Sequence, residues 1–163
     1  RNQAKTFIYA LLYGAGDAKL GSVAGGSRQV GSRLRQSFFD NLPSFKALKD
    51  RVAREATKGF VKGLDGRKVF VRSEHAALNS LLQSAGSLVM KKAVIIFNEK
   101  IKDLPADFVM NVHDEWQLET EAMSADTVGN LGVEAIIEAG LAFNLNCPLD
   151  GEYNVGSNWS ETH

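Results

Sequence analysis

Residues 107–119 read DFVMNVHDEWQLE. Apolar and polar side chains alternate on both sides of His113-Asp114, so the stretch predicts two short strands joined by a tight turn that carries that pair. Upstream, residues from His75 to about Glu99 repeat with helical period, and Leu78, Leu81, Leu82, Ala85, Leu88 and Val89 predict one broad buried face on a long, central helix. Downstream, residues 124–143 predict a last helix. The tail beyond Pro148 is rich in Gly and Asn, with Trp159 as an apolar anchor. Further toward the start, Leu64-Asp65-Gly66-Arg67 is a turn before KVFVR at 68–72, a strand with Val69 and Val71 on one side. Residues 44–58 and 28–40 predict amphipathic helices separated by Asn41-Leu42-Pro43. Residues 3–14 predict a first helix ending at Gly14, followed by a turn at Gly16-Asp17. Helices and hairpins in this order define an α+β fold.

The chain has 163 residues, 44% apolar and 23% charged. That is one domain or a pair of small subdomains with a real core, and neither a linker nor a disordered tail. The single cysteine, Cys147, excludes an intramolecular disulfide framework and suits a reducing compartment. No apolar run approaches the ~20 residues that a membrane-spanning helix needs. No leader is legible and no initiating methionine is present, so the sequence reads as a processed or truncated piece. Net charge is zero, yet residues 1–75 hold 15 Lys and Arg against 6 Asp and Glu, while residues 76–163 hold 4 against 13. The halves are therefore +9 and −9. A basic half suits a phosphate backbone and an acidic half suits divalent cations, although two opposite halves also attract each other within one fold.

Three constellations could carry chemistry. Arg1, Lys5, Tyr9 and Tyr13 are each four residues apart and form one stripe on a helix, two cations followed by two phenols. Such a stripe holds a phosphate chain at one end and stacks a base or sugar at the other, or it is a surface stripe with tyrosines half-buried against a core. Asn79 and Gln83 form an i,i+4 amide pair with Gly86 and Ser87 one turn on. Amides in that position read base edges, and a solvated polar face explains them equally well. His113-Asp114-Glu115 places two adjacent acids at a turn, where Asp114 can point a carboxylate at Mg²⁺ and Glu115 supplies the neighbouring position. Turns also favour acids for purely local reasons. His75 and His163 lack ligand spacing, and the cations at 46–54 are a solvated helix face or a phosphate contact.

As a set these segments resemble the C-terminal part of the family A DNA polymerases, most closely the T7-like phage replicative enzymes. The resemblance lies in RNQAKTFIYALLYGAG at 1–16, KGLDGRKVFVRSEHAALNSLLQSAG at 62–86, VHDEWQLE at 112–119 and GSNWSETH at 156–163. It implies a partial fingers subdomain over 1–60 and a partial palm over 61–163, with fingers helices and a palm-type antiparallel sheet packed against long helices. By that likeness Arg1 and Lys5 contact the phosphates of an incoming dNTP, Tyr9 stacks near its sugar and base, and Tyr13 with Gly14 borders the templating base. Arg72, Asn79 and Gln83 meet the primer or template strand, and His113 meets the primer terminus. Asp114 is a metal-binding catalytic aspartate, with Glu115 beside it and Lys5 as a third catalytic group.

The resemblance further implies template-directed addition of dNTPs to a primer 3′ end with two Mg²⁺ ions, in a bacterial or phage-infected cytoplasm and without a membrane. Three departures accompany it. Ala10 stands where a glycine is usual, the chain between Lys58 and Lys62 is shorter than in the phage relatives, and the family's first catalytic aspartate belongs to a strand upstream of the fingers helix. The expectation is half of an active site, inactive alone, with an exposed strand edge that favours self-association or a second chain supplying the missing part. Two alternatives are a nucleic-acid-binding or assembly module without catalysis, and a metal-dependent phosphohydrolase using His75, His113 and Asp114.

Overall fold

The computed structural model describes residues 1–162. The elements run α1 (Asn2–Leu12), α2 (Asp17–Val23), α3 (Arg28–Asn41), α4 (Pro43–Ala56), β1 (Phe60–Lys62), β2 (Lys68–Phe70), α5 (Glu74–Ile101), β3 (Ala106–Val112), β4 (Glu115–Thr120), α6 (Ala125–Ala142) and α7 (Trp159–Thr162). The expected α+β class is what forms. Two compact units divide within α5, between Ser84 and Ala85.

In the first unit α1 stops at Gly14, whose φ of 78° lies in the left-handed region. Gly16-Asp17 was expected to be only a turn. Gly16 instead caps α2, with Asp17 in its first turn. Seven residues are too few to show a helical period in the sequence, which is why this helix escapes a pattern reading. Glycines let α2 and α3 touch backbone to backbone: a Cβ on Gly31 would sit 2.0 Å from the Asp17 carbonyl oxygen, and one on Gly21 2.0 Å from that of Ser27. Arg35 ties α3 to the α1–α2 connection through Asp17 Oδ1 at 2.6 Å and the Ala15 carbonyl. Leu11, Leu20 and Phe39 are buried at this junction, and Phe39 stacks on Phe45.

A second core in the same unit gathers Val52, Ala56, Val61, Ala77 and Leu78. Val61 belongs to β1, a strand the sequence pattern did not announce because Phe60-Val61-Lys62 shows no alternation. β1 and β2 pair antiparallel with Phe60 opposite Phe70, Val61 opposite Val69 and Lys62 opposite Lys68. Strand alternation sends Val61 and Val69 into the core. In the connecting turn the Arg67 guanidinium donates to Asp65 Oδ2 and the Arg67 N–H donates to Asp65 Oδ1. Desolvation pushes the Asp65 carboxyl upward, and the Arg67 contacts outweigh it, leaving the group below the usual carboxylate range.

The second unit packs β3 and β4 against the later turns of α5 and against α6. Phe97, Ile101, Val128 and Ala135 are buried there, with the Phe97 ring stacked on Trp116 and edge-on to Phe108. Val89, Ala93 and Ala139 form an adjoining core. Lys100 on α5 bridges Glu134 and Glu138 of α6 at 3.1 and 2.9 Å, and hydrogen bonding to the two carboxylates, Glu138 foremost, raises its pKa.

α5 departs from expectation in one respect. Its buried positions are not one face but two stretches, Ala77 and Leu78, then Val89, Ala93, Phe97 and Ile101, and Leu82 is 41% exposed. Each unit supplies its own core, so the middle of the helix is left without one. α5 is also long and apolar enough to cross a membrane by length and composition alone, with mean hydropathy 1.3 over its most apolar 18 residues. Lys91 and Lys92 interrupt it, both exposed.

Candidate active site

In the first unit the helical rise of 1.5 Å per residue spreads Arg1, Lys5, Tyr9 and Tyr13 over about 18 Å of α1 and the turn that ends it. The stripe is solvent-facing. Tyr9 and Tyr13 are 50% and 57% exposed, and the Lys5 ammonium lies 5.8 Å from the centre of the Tyr9 ring. Ala10, the departure from the family pattern, faces the other way and packs against the core of Leu11, Leu20 and Phe39. It therefore lies off the stripe.

Tyr13 and Gly14 meet the start of α5. Gln83 Nε2 donates to the Tyr13 hydroxyl at 3.3 Å. A Cβ on Gly14 would come within 2.7 Å of the His75 carbonyl oxygen, so the turn after α1 closes directly on the α5 backbone. His75 carried no ligand spacing in the sequence, and it is its backbone carbonyl that the Gly14 turn approaches. A cleft of about 190 Å³ opens here, with Gly14, Arg35, Lys49 and His75 on its walls. Arg72 is exposed and Asn79 half-buried. The first unit thus joins Lys5 with Tyr9, and Tyr13 and Gly14 with Gln83 and His75.

In the second unit the hairpin forms as read. Val112 pairs with Glu115, which leaves His113 and Asp114 as a two-residue turn with both side chains exposed. His113 has φ of 55°, a left-handed conformation that histidine tolerates better than branched residues do. A bulge at Val109 shifts the register between Phe108 and Met110. Past the bulge Asn111 and Trp116 share one face, while Val112, Glu115 and Gln117 share the other. Strand alternation along β4 keeps Trp116 with Leu118 on the core side and turns Glu115 away from it, and the bulge brings Asn111 rather than Met110 to the face of Phe108.

What holds Glu115 is a feature the sequence reading missed. Its Oε1 accepts from Gln117 Nε2 and from Trp159 Nε1, the latter at 3.2 Å, and the Thr162 hydroxyl donates to Gln117 Oε1 at 3.3 Å. Trp159 and Thr162 are three apart on α7 and meet residues two apart on β4, so helical and strand periods match at the contact. Trp159 was expected to anchor through apolar burial. It is 47% exposed and its ring N–H is what engages, as indole donors do near an acceptor.

Mg²⁺ prefers oxygen ligands and is held by one or two carboxylates when phosphates complete the shell. Asp114, exposed at the turn, and Glu115, oriented beside it, fit that habit. Among the described residues no group of three His, Cys, Asp or Glu is placed to hold an ion without such help. A cavity of about 370 Å³ in this unit lies at the opposite end of β3 beside Leu104 to Phe108 and does not include the turn.

The stripe lies on α1, the amides on α5 and the acidic turn between β3 and β4, and the sequence profile of DNA polymerase family A matches residues 1–161. The chain belongs to that family. It is closely related over the fingers and palm region to the T7-like phage replicative enzymes: it is 40% identical to the DNA-directed DNA polymerase of Escherichia phage Phieco32 and 38% identical to that of Escherichia phage T7. Both matches cover all of this chain but only 28% and 27% of those relatives, so it spans little more than a quarter of their length. The fold is similar to the solved POL domain of Pol1 from M. smegmatis in complex with DNA primer-template and dNTP. That match has a TM-score of 0.77 at 24% identity, covering 85% of this chain and 27% of the other.

Proposed function

We propose that these residues are the fingers (1–60) and palm (61–163) part of a template-directed DNA polymerase, a cytoplasmic enzyme acting on primer-template DNA and dNTPs. The observation that carries this is the hairpin turn of His113 and Asp114, with Glu115 held in one orientation by Gln117 and Trp159. Family membership favours this chemistry over phosphohydrolysis. Arg1 and Lys5 bind the dNTP phosphates by charge, with Lys5 positioned to neutralise the charge that develops there in the transition state. Tyr9 presents its ring to the sugar and base. Tyr13 and Gly14 border the templating base, and the Gln83 contact fixes the Tyr13 hydroxyl. Arg72, Asn79 and Gln83 contact the primer or template strand, and His113 orients the primer terminus.

Asp114, with Glu115 beside it, would hold Mg²⁺. When bound, the ion activates the primer 3′-hydroxyl and offsets charge on the phosphates, and the family's reaction uses two such ions. One exposed carboxylate and its neighbour are a partial ligand set, so polypeptide outside these residues supplies the remainder. A preceding segment and a second chain would serve equally. Self-association through open strand edges belongs to the same reading.

The test is Mg²⁺-dependent dNTP incorporation on a primer-template, by this chain alone and with a polypeptide carrying the upstream palm strand, each beside Asp114→Asn. The expected result is no extension alone, and extension with the added polypeptide that Asp114→Asn lowers on the order of a thousandfold, about 4 kcal/mol of barrier. Extension by the chain alone that Asp114→Asn abolishes would overturn the incomplete-site reading. Extension indifferent to Asp114 would overturn the site itself.

A further inference from the structure

We propose that the outward face of the β1–β2 hairpin is a stacking platform for single-stranded DNA. This surface lies outside the stripe and the acidic turn, and the inference stands without the polymerase reading. Cross-strand pairing puts Phe60, Lys62, Lys68 and Phe70 on one face of the hairpin, with Val61 and Val69 on the other. Two features of that face work against the hairpin's own stability. The Phe70 ring is 79% exposed, which forfeits most of what burying a phenylalanine contributes. Lys62 and Lys68 stand directly opposite each other, and like charges in a cross-strand pair are destabilising.

Neither conflict is relieved within the described residues. No ion pair reaches Lys62 or Lys68, and the neighbouring acid, Asp65, is taken by Arg67. The Lys68 ammonium instead lies 4.8 Å from the centre of the Phe60 ring, and the Phe60 and Phe70 rings are 6.5 Å apart and edge-on. A ligand that relieves both conflicts must carry flat apolar faces and negative charge at nucleotide spacing. Single-stranded DNA has both. Its bases stack on exposed aromatics whatever the sequence, and its phosphates pair with the flanking lysines. A duplex hides its base faces, and an acidic peptide answers the lysines but leaves Phe70 in water. Local rules broken together on one small surface are what a binding site leaves behind when its ligand is away.

The measurement is fluorescence anisotropy of a labelled oligothymidylate of about 16 nucleotides in EDTA, so that no divalent ion contributes. Controls are the same length of duplex and a polyglutamate peptide. The ring of Phe70 is mostly in water, so Phe70→Ala keeps the fold, which far-UV circular dichroism verifies. Phe70→Ala is expected to weaken strand binding about tenfold and Phe70→Trp to retain it. Lys62→Gln and Lys68→Gln are each expected to reduce the slope of log affinity on log salt by about 0.7. Phe70 and the two lysines have no part in the acidic turn, so failure of the polymerase reading shows in the extension assay and failure of this one in the anisotropy. Equal binding by wild type and Phe70→Ala overturns the proposal. So does preference for duplex, or tighter capture of polyglutamate than of the oligonucleotide.

Discussion

At the scale of single residues, Trp116 and Trp159 show how differently one side chain is used. The Trp159 N–H has an acceptor in Glu115, whereas Trp116 Nε1 is buried without a hydrogen-bond partner. An orphaned donor costs about 1–3 kcal/mol, which offsets much of what the stacked indole contributes against Phe97. Trp116→Phe removes the donor and keeps a ring, so urea unfolding should place it within about 1 kcal/mol of wild type. Trp116→Leu gives up the stack as well and should lose about 2–3 kcal/mol. Equal and large losses from both would mean that the N–H does contribute. Residue types made the acidic turn legible, since strand alternation on either side of His113-Asp114 locates it. Nothing in the types announced that Glu115 would be gripped from 44 positions away.

At the scale of elements, the legibility of helices followed length. α3, α4 and α6 lie where their periodicity places them, because 14 to 18 residues give several turns of pattern. α2 does not, because seven residues give too few turns, and β1 does not, because Phe60-Val61-Lys62 does not alternate as the equally short β2 does within KVFVR. The packing of α2 on α3 rests on absent side chains rather than present ones, which no hydrophobic pattern encodes. Gly31→Ala should therefore be far worse than its helix propensity suggests. Alanine favours a helix by about 1 kcal/mol over glycine, but its Cβ would lie 2.0 Å from the Asp17 carbonyl oxygen. A net loss of about 3 kcal/mol in chemical denaturation is expected. Gly86→Ala has no atom within 4 Å of the new Cβ and should instead stabilise α5 slightly. A Gly31→Ala protein as stable as wild type would show that α2 and α3 can separate without cost.

At the scale of the whole molecule, both sheets have two strands among the described residues, and each strand leaves one edge unpaired there. Such edges, with apolar residues such as Val109 in the open, favour association between chains. Sedimentation at micromolar concentration is expected to show species heavier than the 17.7 kDa chain, and a clean monomer would contradict this. The family was legible from four segments of sequence. The division into two contact units within α5 was not, because a continuous helical pattern does not reveal where its buried face lapses. One consequence concerns time. Translation delivers roughly 5–20 residues per second, so Glu115 leaves the ribosome roughly 2–9 s before Trp159. During that interval the nascent hairpin can form with Gln117 on the carboxylate but without the Trp159 contact, and a ribosome paused in the tail would prolong the period in which the acidic turn exists without that clasp.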